Sequence, residues 1–359
     1  MMTVARREIV EESAAGVYHC VARCVRRAFL CGKDPYTGRD FEHRKSWVQS
    51  RLQTLAGAFG IEVYAYAVMS NHLHVVLRNR PDLAAGWSAG EVATRWLRVF
   101  PKRRTADGQP AGPSAGEVAA LAADTTRVAE LRQRLSSISW FMKSLSEFVA
   151  RRANREDRCR GRFWEGRFKC QRLADEAAVL TCMAYVDLNP VRARVAESLA
   201  DSAFTSVFDR LRGRQARSRV RRVRRMVRAG TRLTPRQRKL YEAAGEQSRQ
   251  DRWLARLDAE GSPLSNVSEA SYLSLVDWTG RALRDDKPGA IPASVAPLLE
   301  QLEINTDRWV QTVERYGSLF FRVAGRAEML SRIAGAAGLR WLRGIGASRA
   351  VFSARPRAA

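Results

Sequence analysis

The chain has 359 residues, of which 45% are hydrophobic and 28% are charged, and these proportions are ordinary for a globular protein. They exclude a collagen-like or wholly disordered chain, and no apolar run is long enough to predict a membrane span. Sixty-two Lys and Arg against 37 Asp and Glu give a formal net charge of +25. This excess predicts a polyanionic partner. Nucleic acid is favoured over a membrane surface, which would require a basic amphipathic helix.

The N-terminal segment and the cysteines both predict a protein of the reducing cytoplasm. The first thirty residues contain no apolar core of a signal peptide, because charged residues follow Met1 within a few positions. The six cysteines are too few and too scattered for a disulfide framework, so we interpret them as small packing residues. A zinc site at Cys20, Cys24 and Cys31 is the weaker alternative.

Hydrophobic periodicity and turn residues predict a strand, a helix, a hairpin, a long helix, a strand and a helix, in that order. The predicted ranges are strand 16–23, helix 43–59, strands 61–69 and 72–78, loop 103–116, helix 128–154, strand 162–173 and a helix from 175 to about 189. This order predicts an α+β domain with an antiparallel sheet and helices on one face.

Composition predicts three divisions of the chain: a domain over residues 1–209, an Arg-rich linker over 210–229 and a mostly helical region over 230–359. Residues 210–228 hold ten arginines and no acid. Their valines also allow a helix where the charge is neutralised, so a solvated linker and a DNA-binding segment both remain open.

Two of the four histidines form the motif His72-Leu73-His74 on the returning strand of the predicted hairpin. Strand alternation sends His72 and His74 to one face and Leu73 to the other. Two imidazoles on one face can share a metal ion. Two unrelated sheet histidines are the alternative.

A second cluster of polar groups lies at the end of the last predicted helix of this domain. Tyr185 and Asn189 are four residues apart, so on a continuous helix they share a face. Pro190 then ends the helix, and Arg192 and Arg194 follow. This neighbourhood is unusual for a tyrosine that only packs in a core.

These segments resemble a known family. His72-Leu73-His74 after residues 68–71 is similar to the histidine-hydrophobic-histidine motif of single-tyrosine HUH transposases. Segments 161–169 (GRFWEGRFK) and 185–193 (YVDLNPVRA) resemble later blocks of the same family, in the branch of REP-associated tyrosine transposases of the insertion-sequence-200 type. The resemblance covers about residues 15–209. It implies a ferredoxin-like antiparallel sheet, a bacterial host and association with the nucleoid.

The resemblance also implies a mechanism. His72 and His74, with Asn189 as third ligand, would hold Mg²⁺ or Mn²⁺, which acts as a Lewis acid on the scissile phosphate. Tyr185 would attack phosphorus and leave a 5′-phosphotyrosine and a free 3′-hydroxyl, which lets the strand be rejoined elsewhere. Tyr64 and Tyr66 are the fallback nucleophiles. Asn189 has a second interpretation, as a cap of the helix end.

The expected partner is single-stranded or hairpin DNA. Cations and one aromatic side chain are candidates for DNA contacts, because such residues bind phosphates and stack on bases. The candidates are Arg162, Trp164, Arg167, Lys169, Arg192 and Arg194. A catalytically inactive, domesticated DNA-binding protein and a metal-dependent phosphodiesterase that uses water are the competing hypotheses. The oligomeric state stays open.

Overall fold

Five strands form one mixed sheet in the part of the chain that the computed structural model describes, residues 9–25, 30–34, 37–284, 292 and 295–352. With its helices, this sheet makes an α+β structure, as predicted. The strands are β1 (Gly16–Arg23), β2 (Ile61–Val68), β3 (His72–Asn79), β4 (Lys169–Leu173) and β5 (Val323–Ala324).

The helices follow the strands in three groups along the chain. Those up to β4 are α1 (Arg44–Ala58), α2 (Pro81–Ala85), α3 (Ala89–Val99), α4 (Ala115–Ala122), α5 (Thr125–Ser136) and α6 (Ile138–Glu156). After β4 come α7 (Glu176–Asp187), α8 (Asn189–Arg192), a 3₁₀ turn (Leu199–Asp201), α9 (Ser206–Arg228) and α10 (Pro235–Gln247). The last group is α11 (Glu269–Ala282), α12 (Ala296–Gln301), α13 (Trp309–Leu319), α14 (Ala327–Ala336) and α15 (Ile345–Val351).

The strand order across the sheet is β2-β3-β1-β4-β5. The pairings among β1 to β4 are antiparallel, which agrees with the predicted sheet, whereas β5 joins β4 in parallel. The register places His74 opposite Val21 and Gln171 opposite His19. The central strand β1 therefore brings side chains of β3 and β4 close to one another.

Helices cover both faces of the sheet, so the prediction of helices on one face is wrong. Tyr18 belongs to the core cluster that includes the apolar residues of α1 and α6, whereas its neighbour Val17 belongs to the cluster of α7, α11 and α13. The reason lies in α7, whose residues are buried on almost every side. A helix that is apolar all round needs partners on both sides, and α7 has the sheet on one side and the C-terminal helices on the other.

Two predicted elements have different bounds in the structure. The helix predicted over 128–154 is divided into α5 and α6, because Ser137 is extended and its hydroxyl accepts a hydrogen bond from the Trp140 amide. The strand predicted over 162–173 is shorter, since only 169–173 pair in β4. Residues before it run beside the end of β1, where the Val25 amide donates to the Phe163 carbonyl.

The Arg-rich segment is helical and forms most of α9. Gly213, Ala216 and Val220 give this helix a buried side. Residues from the C-terminal region, Trp309 among them, share one apolar cluster with α7. The division of the chain at residues 209 and 230 stays a prediction.

Candidate functional site

His72 and His74 lie together at the start of β3, on the face that α7 covers. Their ring centroids are 4.7 Å apart, and Leu73 belongs to the core of the opposite face, as strand alternation predicts. Nδ1 of His72 is 2.6 Å from Oδ1 of Asn71, so one ring nitrogen is fixed by the hairpin turn. The two imidazoles therefore share a face at close range.

A third histidine completes this cluster. His19 on β1 stacks on His74 with ring centroids 5.1 Å apart, and its Nε2 lies 2.9 Å from Nδ1 of His74. One of these nitrogens donates to the other, so the bond couples the tautomers of the two neutral rings. Gln171 of β4 lies opposite His19, and its Oε1 accepts from the Tyr316 hydroxyl at 2.9 Å.

Burial keeps the three imidazoles neutral. It lowers the pKa of His19 to about 4, and it likewise lowers the pKa of His72 to about 4, where Arg23 adds a smaller effect. Burial also lowers the pKa of His74 well below its ordinary value, with the neighbouring histidines adding to the effect. Neutral imidazole is the form that binds metal ions.

Tyr185 lies beside the histidines on the last turn of α7. Its ring centroid is 5.7 Å from that of His74 and 6.0 Å from that of His19. The Arg192 guanidinium lies over the same ring at 4.5 Å. Helix α13 closes the other side, because a Cβ atom added at Gly317 would lie 3.0 Å from the Tyr185 hydroxyl oxygen.

Asn189 does not share a helix with Tyr185, so the prediction of one continuous helix is wrong. Helix α7 ends at Asp187, and Asn189 opens the short α8 with Pro190. The Asn189 side chain is buried, and among the described residues its amide nitrogen has no hydrogen-bond partner. No side-chain cap bond from Asn189 is present in this part of the structure, so the capping interpretation has no support there.

Tyr185 borders a cleft of about 1020 Å³ between α7, α8 and α13. Four arginines line it, against two glutamates, so the cleft suits an anion. The charged residues of its lining are Arg192, Arg194, Arg284, Arg315, Glu197 and Glu314. The Arg192 side chain is held in place by a bond from Nη2 to the Glu314 carbonyl at 2.5 Å.

The other predicted DNA-binding residues lie outside this lining. Arg162, Arg167 and Lys169 are exposed. Trp164 is half-buried, and its indole nitrogen donates to the Ser146 carbonyl at 2.8 Å. The Trp164 indole is therefore bound to α6 within the protein. The DNA contacts of all four residues stay predictions.

The fallback nucleophiles have other partners. The Tyr64 hydroxyl lies 3.1 Å from the Ser262 hydroxyl, and the Tyr66 hydroxyl donates to Asp209 at 2.7 Å. Both rings are buried, and burial raises the pKa of Tyr66 well above its ordinary value. Tyr185 is therefore the better nucleophile candidate.

The described residues hold no group of three or more His, Cys, Asp or Glu side chains arranged to bind a metal ion. The cysteines of the weaker zinc hypothesis are buried. Burial raises the pKa of Cys31 to about 12, and its thiol donates to the Met69 carbonyl.

Sequence reasoning did not find His19, Gln171 or Tyr316. His19 lay on a correctly predicted strand, on the same face as Val17, but its closeness to His74 depends on the register between β1 and β3. The position of Gln171 opposite His19 depends in the same way on the register between β1 and β4. No local signal marks Tyr316, which comes from α13.

Comparison with known proteins gives one structural neighbour. No family model matches the chain, and no curated protein matches it in sequence. A solved structure of a REP-associated tyrosine transposase bound to a REP hairpin aligns with a TM-score of 0.33 and 12% sequence identity. The alignment covers 57% of this chain and 82% of that one.

Among the described residues, no helix combines the length and apolar character that a membrane span requires.

Proposed function

We propose that this chain is a metal-dependent tyrosine transposase that cleaves and rejoins single-stranded DNA through a 5′-phosphotyrosine intermediate. One observation carries the proposal: Tyr185 lies against His74 on the wall of a cleft lined by arginines. A nucleophile, imidazole ligands and an anion-binding surface are the parts that such a transfer needs.

The residues present fit a divalent cation with mixed ligation. His72 and His74 are neutral at pH 7 and 4.7 Å apart by ring centroids, and the buried Asn189 side chain would offer its amide oxygen as the third donor. Mixed imidazole and amide donors suit Mn²⁺ or Mg²⁺. When bound there, the ion supplies Lewis-acid polarisation of a non-bridging phosphate oxygen.

The protein groups then have distinct tasks in the proposed reaction. The Tyr185 oxygen forms a bond to phosphorus and gives up its proton, the P–O3′ bond breaks, and the leaving 3′-oxygen takes up a proton. Arg192 and Arg194 stabilise the phosphate charge from the cleft wall. His19 holds the His74 ring through their hydrogen bond.

The order of the first four strands supports a ferredoxin-like core as part of the same proposal. In the sheet they follow the order β2-β3-β1-β4 with antiparallel neighbours, and α1 and α6 connect them over one face. This arrangement places β3 next to the central strand β1, where the histidines meet.

A covalent-adduct assay tests the proposal. The full chain is incubated with Mn²⁺ and end-labelled single-stranded hairpin DNA and run on a denaturing gel. We expect a labelled band at the protein's mass that is lost in Tyr185→Phe, in His72→Ala and with EDTA. Tyr241→Phe is the matched control and should keep the band, because this tyrosine lies on α10 and its hydroxyl accepts from Arg224, which lies outside the cleft lining.

The other outcomes identify the competing functions. Cleavage without an adduct, unchanged in Tyr185→Phe, would contradict the proposal and favour a phosphodiesterase that uses water. Salt-sensitive DNA binding with neither adduct nor cleavage would favour the inactive DNA-binding protein.

A further inference from the structure

The distal part of α9, residues 212–228, carries arginines that the proposed chemistry does not use. Eight of its nine arginines are exposed, and none of these eight lies within ion-pair distance of a carboxylate in the described part of the chain. They are Arg212, Arg214, Arg219, Arg221, Arg222, Arg224, Arg225 and Arg228.

Contacts at residues 213 and 217 fix α9 to the rest of the molecule. The Arg217 guanidinium bonds Asp251 at 2.7 Å and Glu269 at 2.9 Å. Gly213 packs so closely against the Asp251 carboxylate that a Cβ atom there would overlap it. Helix α10 supports α9 nearer its C-terminal end, where Nε of Arg224 donates to the Tyr241 hydroxyl at 3.2 Å. The exposed arginines are thus presented on a rigid element.

Helical spacing arranges most of these arginines in two rows. One row holds Arg212, Arg219 and Arg222, and the other holds Arg214, Arg221, Arg225 and Arg228. Ser218 lies between the two rows, on the side of the helix opposite the buried Val220. Like charges three and four residues apart destabilise a helix, and bound phosphates remove this repulsion.

The surface fits a duplex better than a single strand. Proteins that bind single strands without sequence preference stack bases on aromatic side chains, and residues 209–228 contain no aromatic residue. The arginines from 212 to 228 span about 24 Å at 1.5 Å per residue, and the major groove of B-DNA admits an α-helix. Two rows of cations on one helix match phosphates on the two sides of a groove.

We infer that the distal part of α9 binds the phosphate backbone of double-stranded DNA. The choice of DNA as the polyanion rests on the proposed function, but the contact itself needs neither Tyr185 nor a metal ion. The surface would hold a base-paired segment while the cleft acts on a single strand.

Duplex binding by the full chain tests this inference. A labelled 20-bp duplex of arbitrary sequence is titrated by fluorescence anisotropy between 50 and 300 mM NaCl, without divalent metal. The test variant carries Arg221→Gln, Arg225→Gln and Arg228→Gln. Each lost phosphate contact lowers the slope of log K against log[salt] by about 0.9, so we expect a decrease of about 2.7 and at least a tenfold weaker affinity at low salt.

Two further variants serve as controls. Arg332→Gln, Arg340→Gln and Arg343→Gln together remove the same charge from exposed positions near the C-terminus, and this triple should keep most of the affinity. Arg→Lys at the three α9 positions keeps the charge and should also keep the binding. Equal losses in both Gln triples would overturn the inference, because only net charge would then matter. Tighter binding of a 20-nucleotide single strand than of the duplex through the same arginines would overturn it too.

The duplex-binding experiment and the adduct assay can fail independently of each other. If the chain forms no phosphotyrosine but binds duplex through α9, the inference stands and the proposed function fails. If Tyr185-dependent cleavage of single strands occurs and the α9 triple leaves duplex affinity unchanged, the reverse holds.

Discussion

His19 of β1 contacts the candidate metal ligand His74 on the neighbouring strand β3. Its Nε2 is bonded to Nδ1 of His74, on a ring whose Nε2 is the remaining nitrogen for a metal ion. Partners that orient a ligating histidine typically contribute tenfold to hundredfold in metal affinity. His74 offers a lone pair on Nε2 when its Nδ1 donates to Nε2 of His19, so the direction of this bond is coupled to metal binding.

His19→Phe is therefore expected to raise the dissociation constant for Mn²⁺ by about 10- to 100-fold. Phenylalanine keeps a planar ring against His74 but removes the hydrogen bond. Isothermal titration calorimetry measures the effect, with His43→Phe as control, because His43 is exposed and pairs with Glu156 far from the cluster in sequence. Equal affinities in the two variants would show that the His19 bond does not act on the metal.

The buried carboxyl group of Asp187 makes the free energy of unfolding depend on pH. Burial raises the pKa of this carboxyl from 3.8 to about 6, although it accepts bonds from the Ser206 and Tyr272 hydroxyls. The folded protein thus holds this proton more tightly than the unfolded chain does. The resulting stabilisation is full below pH 3.8 and is lost as the pH rises through 6.

Asp187→Asn remains uncharged and should not lose this stability. We expect the free energy of unfolding of the variant, relative to the native chain, to rise by up to about 3 kcal/mol between pH 4 and pH 7. Urea unfolding at several pH values measures it, and the exposed Asp258→Asn is the control. A difference that is constant with pH would contradict the assignment.

At the scale of elements, α13 determines how much room the Tyr185 hydroxyl has. Gly317→Ala would bring a methyl group to 3.0 Å from that oxygen. The methyl group would displace the hydroxyl by a few tenths of an ångström. Because a misplacement of about 1 Å can cost up to a hundredfold in rate, we expect a several-fold decrease in the rate of adduct formation while the helix itself gains from alanine.

Gly335→Ala in α14 is the matched substitution, since among the described residues no atom outside the local helix backbone lies within 4 Å of a Cβ there. It should leave the rate of adduct formation unchanged. Quenched time courses of the labelled adduct compare the two variants. If Gly317→Ala reacts at the native rate, α13 does not restrict the nucleophile.

The elements also show what sequence patterns can predict. Strands β1, β2 and β3 were predicted to within a residue at each end, because alternation and the Ser70-Asn71 turn are local signals. The break between α5 and α6 was missed, since the apolar spacing continues through Ser137 although this residue caps a new helix. The short β5 has two residues, too few for any periodicity.

The candidate site was predictable in part for the same reason. His72 and His74 share a face by strand alternation alone, and the structure brings Tyr185 to them. Asn189 was placed on the wrong helix, because the pattern does not show that α7 ends two residues earlier. His19 and Gln171 depend on pairings between strands far apart in the chain, which a single sequence does not encode locally.

At the scale of the whole molecule, the C-terminal region supplies part of the core that covers α7. Tyr272, Trp309 and Tyr316 are buried in the same apolar cluster as α7. A chain ending at residue 229 would expose that face of α7. Large exposed apolar surfaces cause association or loss of fixed packing.

We therefore expect residues 1–229, expressed alone, to aggregate or to lose near-ultraviolet circular dichroism while keeping helical far-ultraviolet signal. The full chain measured in the same buffer is the control. A soluble fragment that unfolds cooperatively and retains the near-ultraviolet spectrum would instead establish an independent N-terminal domain.

The parallel strand β5 has a consequence for synthesis. It covers the edge of β4, and the Asp175 carboxylate just after β4 accepts a bond from the Arg326 amide, 151 positions further along the chain. While the ribosome is still translating the intervening residues, β4 remains an open edge that can pair with a neighbouring nascent chain. Completion of the sheet must wait until residue 324 has been synthesised, so this edge is where we expect molecular chaperones to act during production of the protein.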